Sequence, residues 1–265
     1  MQSTAMQATA YRFTPTAWNT LVGQEEDALL TTEERRNINA GAWFSSLSPT
    51  LRHDILRSTR VKRYAHGELI AARDVSAPVW LACAQGVLRV GYTTATGKAY
   101  TLEYVEPGQW LGEFLLMGDA PHTHDIYAHG ATTTLQIQRS AFMEIFATHV
   151  EFREALMRRQ REDTRLLYEK VDDLKTLGLG ARLTKTLLEL AQTYGVTVAG
   201  RVHITLRLVQ KDLAQLLGAS RQQVNQQLKR LEEGNVIRIS VGGVVIQDMD
   251  ALRRHVQRAQ LAYED

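Results

Sequence analysis

The chain of 265 residues contains a single cysteine, Cys83. One thiol excludes a disulfide within the chain. It also excludes an iron–sulfur cluster or metal site held by cysteines alone within one subunit. No apolar run approaches the roughly 18 residues of a membrane-spanning helix, so no membrane association is expected. The first residues lack the basic run and apolar stretch of a secretory leader, and the expected location is the cytoplasm. An excess of charge is missing too: 31 Lys and Arg stand against 29 Asp and Glu, a net charge of +2. A polyanion would have to be met by a local patch, because the molecule as a whole is not a polycation. No nucleophile–base set, glycine-rich phosphate loop or paired-metal spacing is evident, so no catalytic residue and no enzyme is predicted.

The most informative scarcity is local: no acid occurs between Ser220 and Lys229. This stretch lies inside Leu208 to Leu231, which reads as two short helices joined by a turn. Val209, Leu213, Leu216 and Leu217 recur at helical spacing and form one apolar face. Gly218 falls at the turn, where a positive φ is often needed. Ser220 and Gln223 have the spacing of a Ser-x-x-Gln capping box that opens the second helix, whose Val224, Leu228 and Leu231 face inward. Ser220, Arg221, Gln222, Asn225, Gln226 and Lys229 then form an outward set rich in hydrogen-bond donors. Arg matches guanine O6/N7, amides match adenine N6/N7, and Lys meets phosphates. The pattern predicts a helix-turn-helix that enters the major groove of double-stranded DNA. Asn235 to Ile246 alternates around Gly242-Gly243, a hairpin signal that adds a wing, with Arg238 in reach of phosphates. Met249 to Tyr263 reads as a closing helix with Arg253, Arg254 and Arg258 on a basic face.

In chain order, residues 1–40 read as an N-terminal extension, with a helix over Gln24 to Arg36. Residues 41–150 read as a β-roll or small barrel, preceded by a short helix that Ser48 and Pro49 begin. Its strand candidates are Val61–Tyr64, Val79–Ala84, Gly86–Tyr92, Tyr100–Val105, Ile126–Ala128 and Thr133–Ile137, broken at Gly67, Gly86, Gly97, Gly108, Gly118 and Gly130. Trp110 to Leu116 reads as one helical turn. Residues 151–177 lack proline and glycine. They predict a long helix whose stripe of Leu156, Leu166, Leu167, Val171, Leu174 and Leu177 suits pairing with a second copy. Gly178 and Gly180 suggest a hinge into residues 178–265, which form the winged helix-turn-helix. The fold class is α+β.

Gly41-Ala42-Trp43-Phe44, Gly108-Gln109-Trp110-Leu111-Gly112-Glu113, Arg182 to Ala191 and Leu213 to Leu231 together resemble the CRP/FNR family of bacterial transcription regulators, over about residues 40 to 250. The resemblance implies a cyclic-nucleotide-binding-like roll (a double-stranded β-helix), a long dimerisation helix, and a homodimer that places two recognition helices in successive major grooves. It also implies RNA polymerase as a partner. In the family the first, second and sixth residues of the recognition helix read bases; here they are Arg221, Gln222 and Gln226. The second is often Glu and the sixth often Arg, so the expected operator departs from the family's common half-site. Val209 stands where a Ser or Thr cap is usual, a loss of about 1 kcal/mol. The competing reading is a protein-interaction dimer with a degenerate DNA-binding domain, against which Arg221 and Lys229 argue.

The effector pocket expected from the resemblance comprises Gly112, Glu113, His122, Thr123, Leu167 and Tyr168. Cyclic-nucleotide-binding members follow the Gly-Glu pair with an Arg for the cyclic phosphate. Here His122 or Thr123 takes that place, without the permanently charged bidentate partner. The Thr-Ser pair that meets the purine in cAMP-responsive members aligns with Leu167-Tyr168. Both departures argue against cAMP, and the cofactor is otherwise unassigned. His122, His124 and His129 lie close in sequence, with Asp125 beside them, but no clear metal-ligand set is completed, and no metal is predicted. Cys83 reads as a small buried residue and not a redox sensor.

Overall fold

The computed structural model describes residues 29–74, 79–118 and 123–264. Its contacts divide the chain into two compact units, Met1–Leu88 with Val105–Arg159, and Arg89–Tyr104 with Gln160–Asp265. The part of the predicted 24–36 helix before residue 29 lies outside the described residues, as does His122.

Helix α1, Thr32–Ala40, is opened by a reciprocal capping box in which Thr31 Oγ1 accepts from the Glu34 N–H and Glu34 accepts from the Thr31 N–H. Glu34 is buried and also meets Arg63 at 3.3 Å. A short α2, Ala42–Ser45, leads to α3, Pro49–Arg57, with Ser48 as N-cap and Pro49 in the first turn as expected. Next come β1 Arg60–Tyr64, β2 Leu69–Ala71, β3 Val79–Thr93, β4 Ala99–Val105, β5 Trp110–Leu111, α4 Glu113–Met117 and β6 Asp125–Gln138. The sheet runs β1-β6-β3-β4, with β2 joined to β6 and β5 to β3. Helices α5, Arg139–Thr148, and α6, Val150–Thr176, follow.

Two expected strand breaks are not breaks. Gly86 and Gly130 adopt φ of +73° and +87° inside β3 and β6, so each pair of predicted segments is one continuous strand with a local irregularity. A glycine inside a strand marks a bend or a close backbone approach. At Gly86 a Cβ would stand 2.3 Å from the Ala131 carbonyl oxygen, which leaves room for glycine alone.

The core of the first unit is aromatic. Trp80, Trp110, Phe44, Phe142 and Phe152 are all buried. Trp80 and Trp110 lie 4.3 Å apart between ring centroids, and Trp43 meets Trp80 edge-on at 5.6 Å. Phe152, Ala155 and Leu156 bring the first turns of α6 onto this core. Leu156 therefore packs within the roll, whereas Leu167 and Leu174 of the same predicted stripe are exposed.

The second unit contains α7 Leu179–Tyr194, β7 Gly195–Val198, β8 Arg201–Ile204, α8 Gln210–Leu217, α9 Arg221–Glu233, β9 Ile237–Ser240, β10 Gly243–Ile246 and α10 Met249–Glu264. Its four antiparallel strands run β7-β8-β10-β9. The β7–β8 hairpin was not among the expected strands. Its turn places Ala199 and Gly200 at φ of 50° and 77°, the paired positive values of the tightest hairpin turns. Leu183, Leu187, Leu213, Val224, Leu228, Ile237, Ile246 and Leu252 are essentially inaccessible, each contributing roughly 1.5–3 kcal/mol by burial. Among the described residues, no helix is long and apolar enough to cross a membrane.

Candidate nucleic-acid interface and sensor turn

Helix α8 begins at Val209, which has no hydroxyl for a cap. The Asp212 carboxylate accepts the Val209 N–H at 2.9 Å and supplies half of a capping box, compensating part of the missing interaction. Gly218 ends the helix in the left-handed region, φ 65°, and its N–H reaches Ala214 O. Arg182 of α7 donates to the Leu217 carbonyl at 3.2 Å and satisfies another terminal acceptor. Ser220 then opens α9 with the expected reciprocal box: its Oγ accepts from Gln223 N–H at 3.2 Å, and Gln223 Oε1 accepts from Ser220 N–H at 3.0 Å. The Ser220 hydroxyl proton remains available to donate.

Val224, Leu228 and Leu231 anchor α9 inward, so Arg221, Gln222, Gln226 and Lys229 are exposed. Arg221 and Lys229 make no ion pair among the described residues. The N-terminus of α9 adds partial positive charge to this acid-free face. Asn225 differs from the other predicted contacts. Its Oδ1 accepts from Gln210 Nε2 at 2.9 Å, which ties α9 to α8. This bond positions the two helices against each other, and the amide N–H groups of Asn225 remain available to donate.

The two glycines expected as a hinge stand at the start of α7. Gly178 is the extended N-cap of α7, and Gly180 lies in its first turn. A Cβ on Gly180 would stand 2.8 Å from Gln227 Oε1, the far end of a flexible side chain on α9. Lys185 and Asp173 form an ion pair across the same junction.

In the first unit, Gly112 holds φ of +97°, and a Cβ there would meet Val79 O at 2.9 Å. That bend carries the chain from β5 into α4 and buries Glu113 at 4% exposure. Arg159 of α6 faces it, with its Nε 3.8 Å from Glu113 Oε1. The same guanidinium donates to the Trp110 carbonyl and lies 5.8 Å from the Trp43 ring centre. The Trp43 indole N–H donates to Ala155 O at 3.2 Å. Arg159 thus clasps both ends of the turn that contains Gly112. In the sequence this residue stands in a charged run, Arg158 to Arg165. Its signal was spacing: Phe152, Ala155, Leu156 and Arg159 share one helical face.

Thr123 is exposed and shares a hydrogen bond of 2.9 Å with His124. Leu167 and Tyr168 are exposed on the part of α6 that belongs to the other unit. His129 packs edge-on against His66 at 5.5 Å, and His66 Nδ1 accepts the Gly130 N–H. No group of three His, Cys, Asp or Glu suited to a metal occurs among the described residues. Cys83 is fully buried. Burial, with the Glu106 charge second, pushes its thiol up to about 12.

The sequence matches two family descriptions, a cyclic nucleotide-binding domain over residues 61–149 and a Crp-like helix-turn-helix domain over residues 181–255. It is 28% identical over 172 residues to a CRP-like cAMP-activated global transcriptional regulator of Mycobacterium tuberculosis, covering 65% of this chain and 77% of that protein. It is 25% identical over 222 residues to the anaerobic regulatory protein of Bacillus subtilis, covering 77% of this chain and 87% of that one. A CRP/FNR-family transcriptional regulator from Thermus thermophilus shares the fold, with a TM-score of 0.63 at 21% identity over 74% of this chain and 98% of that one. With its sensor roll and its helix-turn-helix both matched, the chain belongs to the CRP/FNR family of transcription regulators.

Proposed function

We propose that this regulator binds palindromic operators as a homodimer, that α9 reads them through Arg221, Gln222 and Gln226, and that its roll does not answer to cAMP. The exposed, acid-free face of α9, set on a complete capping box, is the observation that carries the reading of DNA. Ser220 and Lys229 take phosphates. Asn225 contributes by holding the two helices together. A random-oligonucleotide selection with the purified chain tests this. It should return inverted repeats that differ from the family's common half-site at the base facing Gln222, and recovery of that common half-site would overturn the assignment.

Pairing of two copies along α6 is supported by Thr164, Leu167, Val171 and Leu174, which recur at alternating spacings of three and four residues. Leu167 and Leu174 are more than 60% exposed in the single chain, large apolar surface that a second helix would cover. Such a dimer would act from the cytoplasm, through contact with RNA polymerase.

The relative from M. tuberculosis carries cAMP activation in its name, and the one from B. subtilis does not. For this chain the Glu113–Arg159 pair supports independence from cAMP: the carboxylate that would receive a ribose hydroxyl already faces an internal guanidinium. Calorimetric titration with cAMP and cGMP should give no saturable heat, and tight binding of either would refute this part.

A further inference from the structure

The wing sheet carries a notch on its outer side. Alternation along the strands sends Ile237, Val244 and Ile246 inward, where they are buried on the side of α7 and α9, and turns Arg238, Ser240, Val245 and Gln247 outward. On β8 the outward residues are Arg201 and His203. The register sets His203, Val245 and Arg238 side by side across β8, β10 and β9. Two residues along the same register, Gln247 comes opposite Arg201. Together with Ser240 these residues line a cavity of about 460 Å³.

Every polar side chain in this lining can donate a hydrogen bond, and no carboxylate is among them. Arg201, His203 and Arg238 make no ion pair among the described residues. The Gln247 Nε2 is buried and has no partner among them. Strands β8 and β9 lie on either side of β10, roughly 10 Å apart. That spacing allows the guanidinium groups of Arg201 and Arg238 to converge from two sides on one anion above Val245. Arginine forks match the oxygens of a phosphoryl group, and the volume is that of a small-molecule site with a few convergent polar groups.

We propose that this notch is a binding site for a small organic phosphate, its phosphoryl group held by Arg201, Arg238 and His203, and its apolar part resting on Val245. It opens on the face opposite to the one against which α9 packs, so the site is separate from the groove-reading helix. A free phosphate ester, and not the backbone of the operator, is the occupant.

Phenyl phosphate is the probe, titrated calorimetrically into the full chain with benzyl alcohol as the uncharged control. The expected result is saturable binding of phenyl phosphate alone, weakened about tenfold in each of Arg201→Ala and Arg238→Ala. Both positions are exposed, so both variants should keep the fold, checked by circular dichroism, and Arg201→Ala, which lies outside the expected DNA contacts, should bind operator DNA like the parent. Phenyl phosphate should bind the duplex-loaded protein as well as the free protein. Absence of binding at roughly millimolar probe, or binding that survives both substitutions, would overturn the proposal. Displacement of the probe by the duplex, with weaker operator binding by Arg201→Ala, would also overturn it and assign the notch to the DNA backbone. None of these results bears on whether α9 reads DNA, which the operator arm measures by itself.

Discussion

Arg159→Met should unlock the turn at Gly112, and the size of the effect follows from burial. Glu113 is 5% exposed at its side chain and Arg159 15%. Removing one member of a buried ion pair is destabilising by about 3–5 kcal/mol, because the other charge is left in a poorly polarisable interior. The separation of 3.8 Å is long for such a pair, which points to the low end, about 3 kcal/mol. For a unit of this size that corresponds to a fall in Tm on the order of 10 °C. Tryptophan fluorescence during urea unfolding is a suitable assay, since Trp43, Trp80 and Trp110 all belong to the affected core. Glu113→Gln in the same background removes the buried carboxylate charge. The double variant should therefore be more stable than Arg159→Met alone, and a thermodynamic cycle should show a coupling of about 1–3 kcal/mol. Strict additivity of the two substitutions would refute the reasoning, and so would an Arg159→Met protein as stable as the parent.

Ser220→Ala removes the N-cap of α9 and should lower the stability of the DNA-binding unit by about 1 kcal/mol in chemical denaturation, with weaker operator binding in a gel-shift titration. Gly218→Ala has open space for its methyl group but must hold φ of 65°, a strain of about 1–2 kcal/mol by the same measurement. Lys229→Ala should weaken binding to every duplex alike and lower the slope of log affinity against log salt by about 1; Arg221→Ala should in addition relax base preference at one position of each half-site. The raised Cys83 thiol has a signed consequence. Its folded value of about 12 lies above its ordinary 9.0, so the unfolded chain releases that proton first as pH rises. The stabilisation is complete below about pH 9 and is lost between 9 and 12, with a slope approaching 1.4 kcal/mol per pH unit. Tyr104, also pushed up to about 12 by burial and then by Asp212, adds to the loss from pH 10. Melting temperatures from pH 8 to 10 should fall for the parent and less for Cys83→Ala, and equal profiles would remove this account.

The legible parts of the sequence were those whose signals are local. Ser220 and Gln223 stand three residues apart and cap α9 as their spacing suggested, and Val224, Leu228 and Leu231 mark its buried face. Ser48-Pro49 likewise gave the start of α3. The roll was harder because its strands are longer than their glycines imply. Gly86 and Gly130 looked like terminators, yet each serves a bend or a close approach that only the folded sheet reveals. Arg159 stayed hidden because a charged run normally faces solvent; only the Trp43 and Trp110 environment makes one of its members a buried clasp. Asn225 has a part that residue type alone does not show, a tertiary hydrogen bond from Gln210 that ties α9 to α8. Gly178 and Gly180 suggest a hinge because glycine permits one, and they stand at the N-cap and in the first turn of α7.

The central claim is that α9 reads DNA in a sequence-specific way without a cyclic nucleotide. It is tested most directly by fluorescence anisotropy of the full chain on its selected operator and on a scrambled duplex, across a salt series, with and without cAMP. The account predicts a preference for the operator of at least about 10³-fold, affinities that fall linearly with log salt, and curves that coincide whether or not cAMP is present. Affinity that is absent, insensitive to salt, or dependent on cAMP would contradict it.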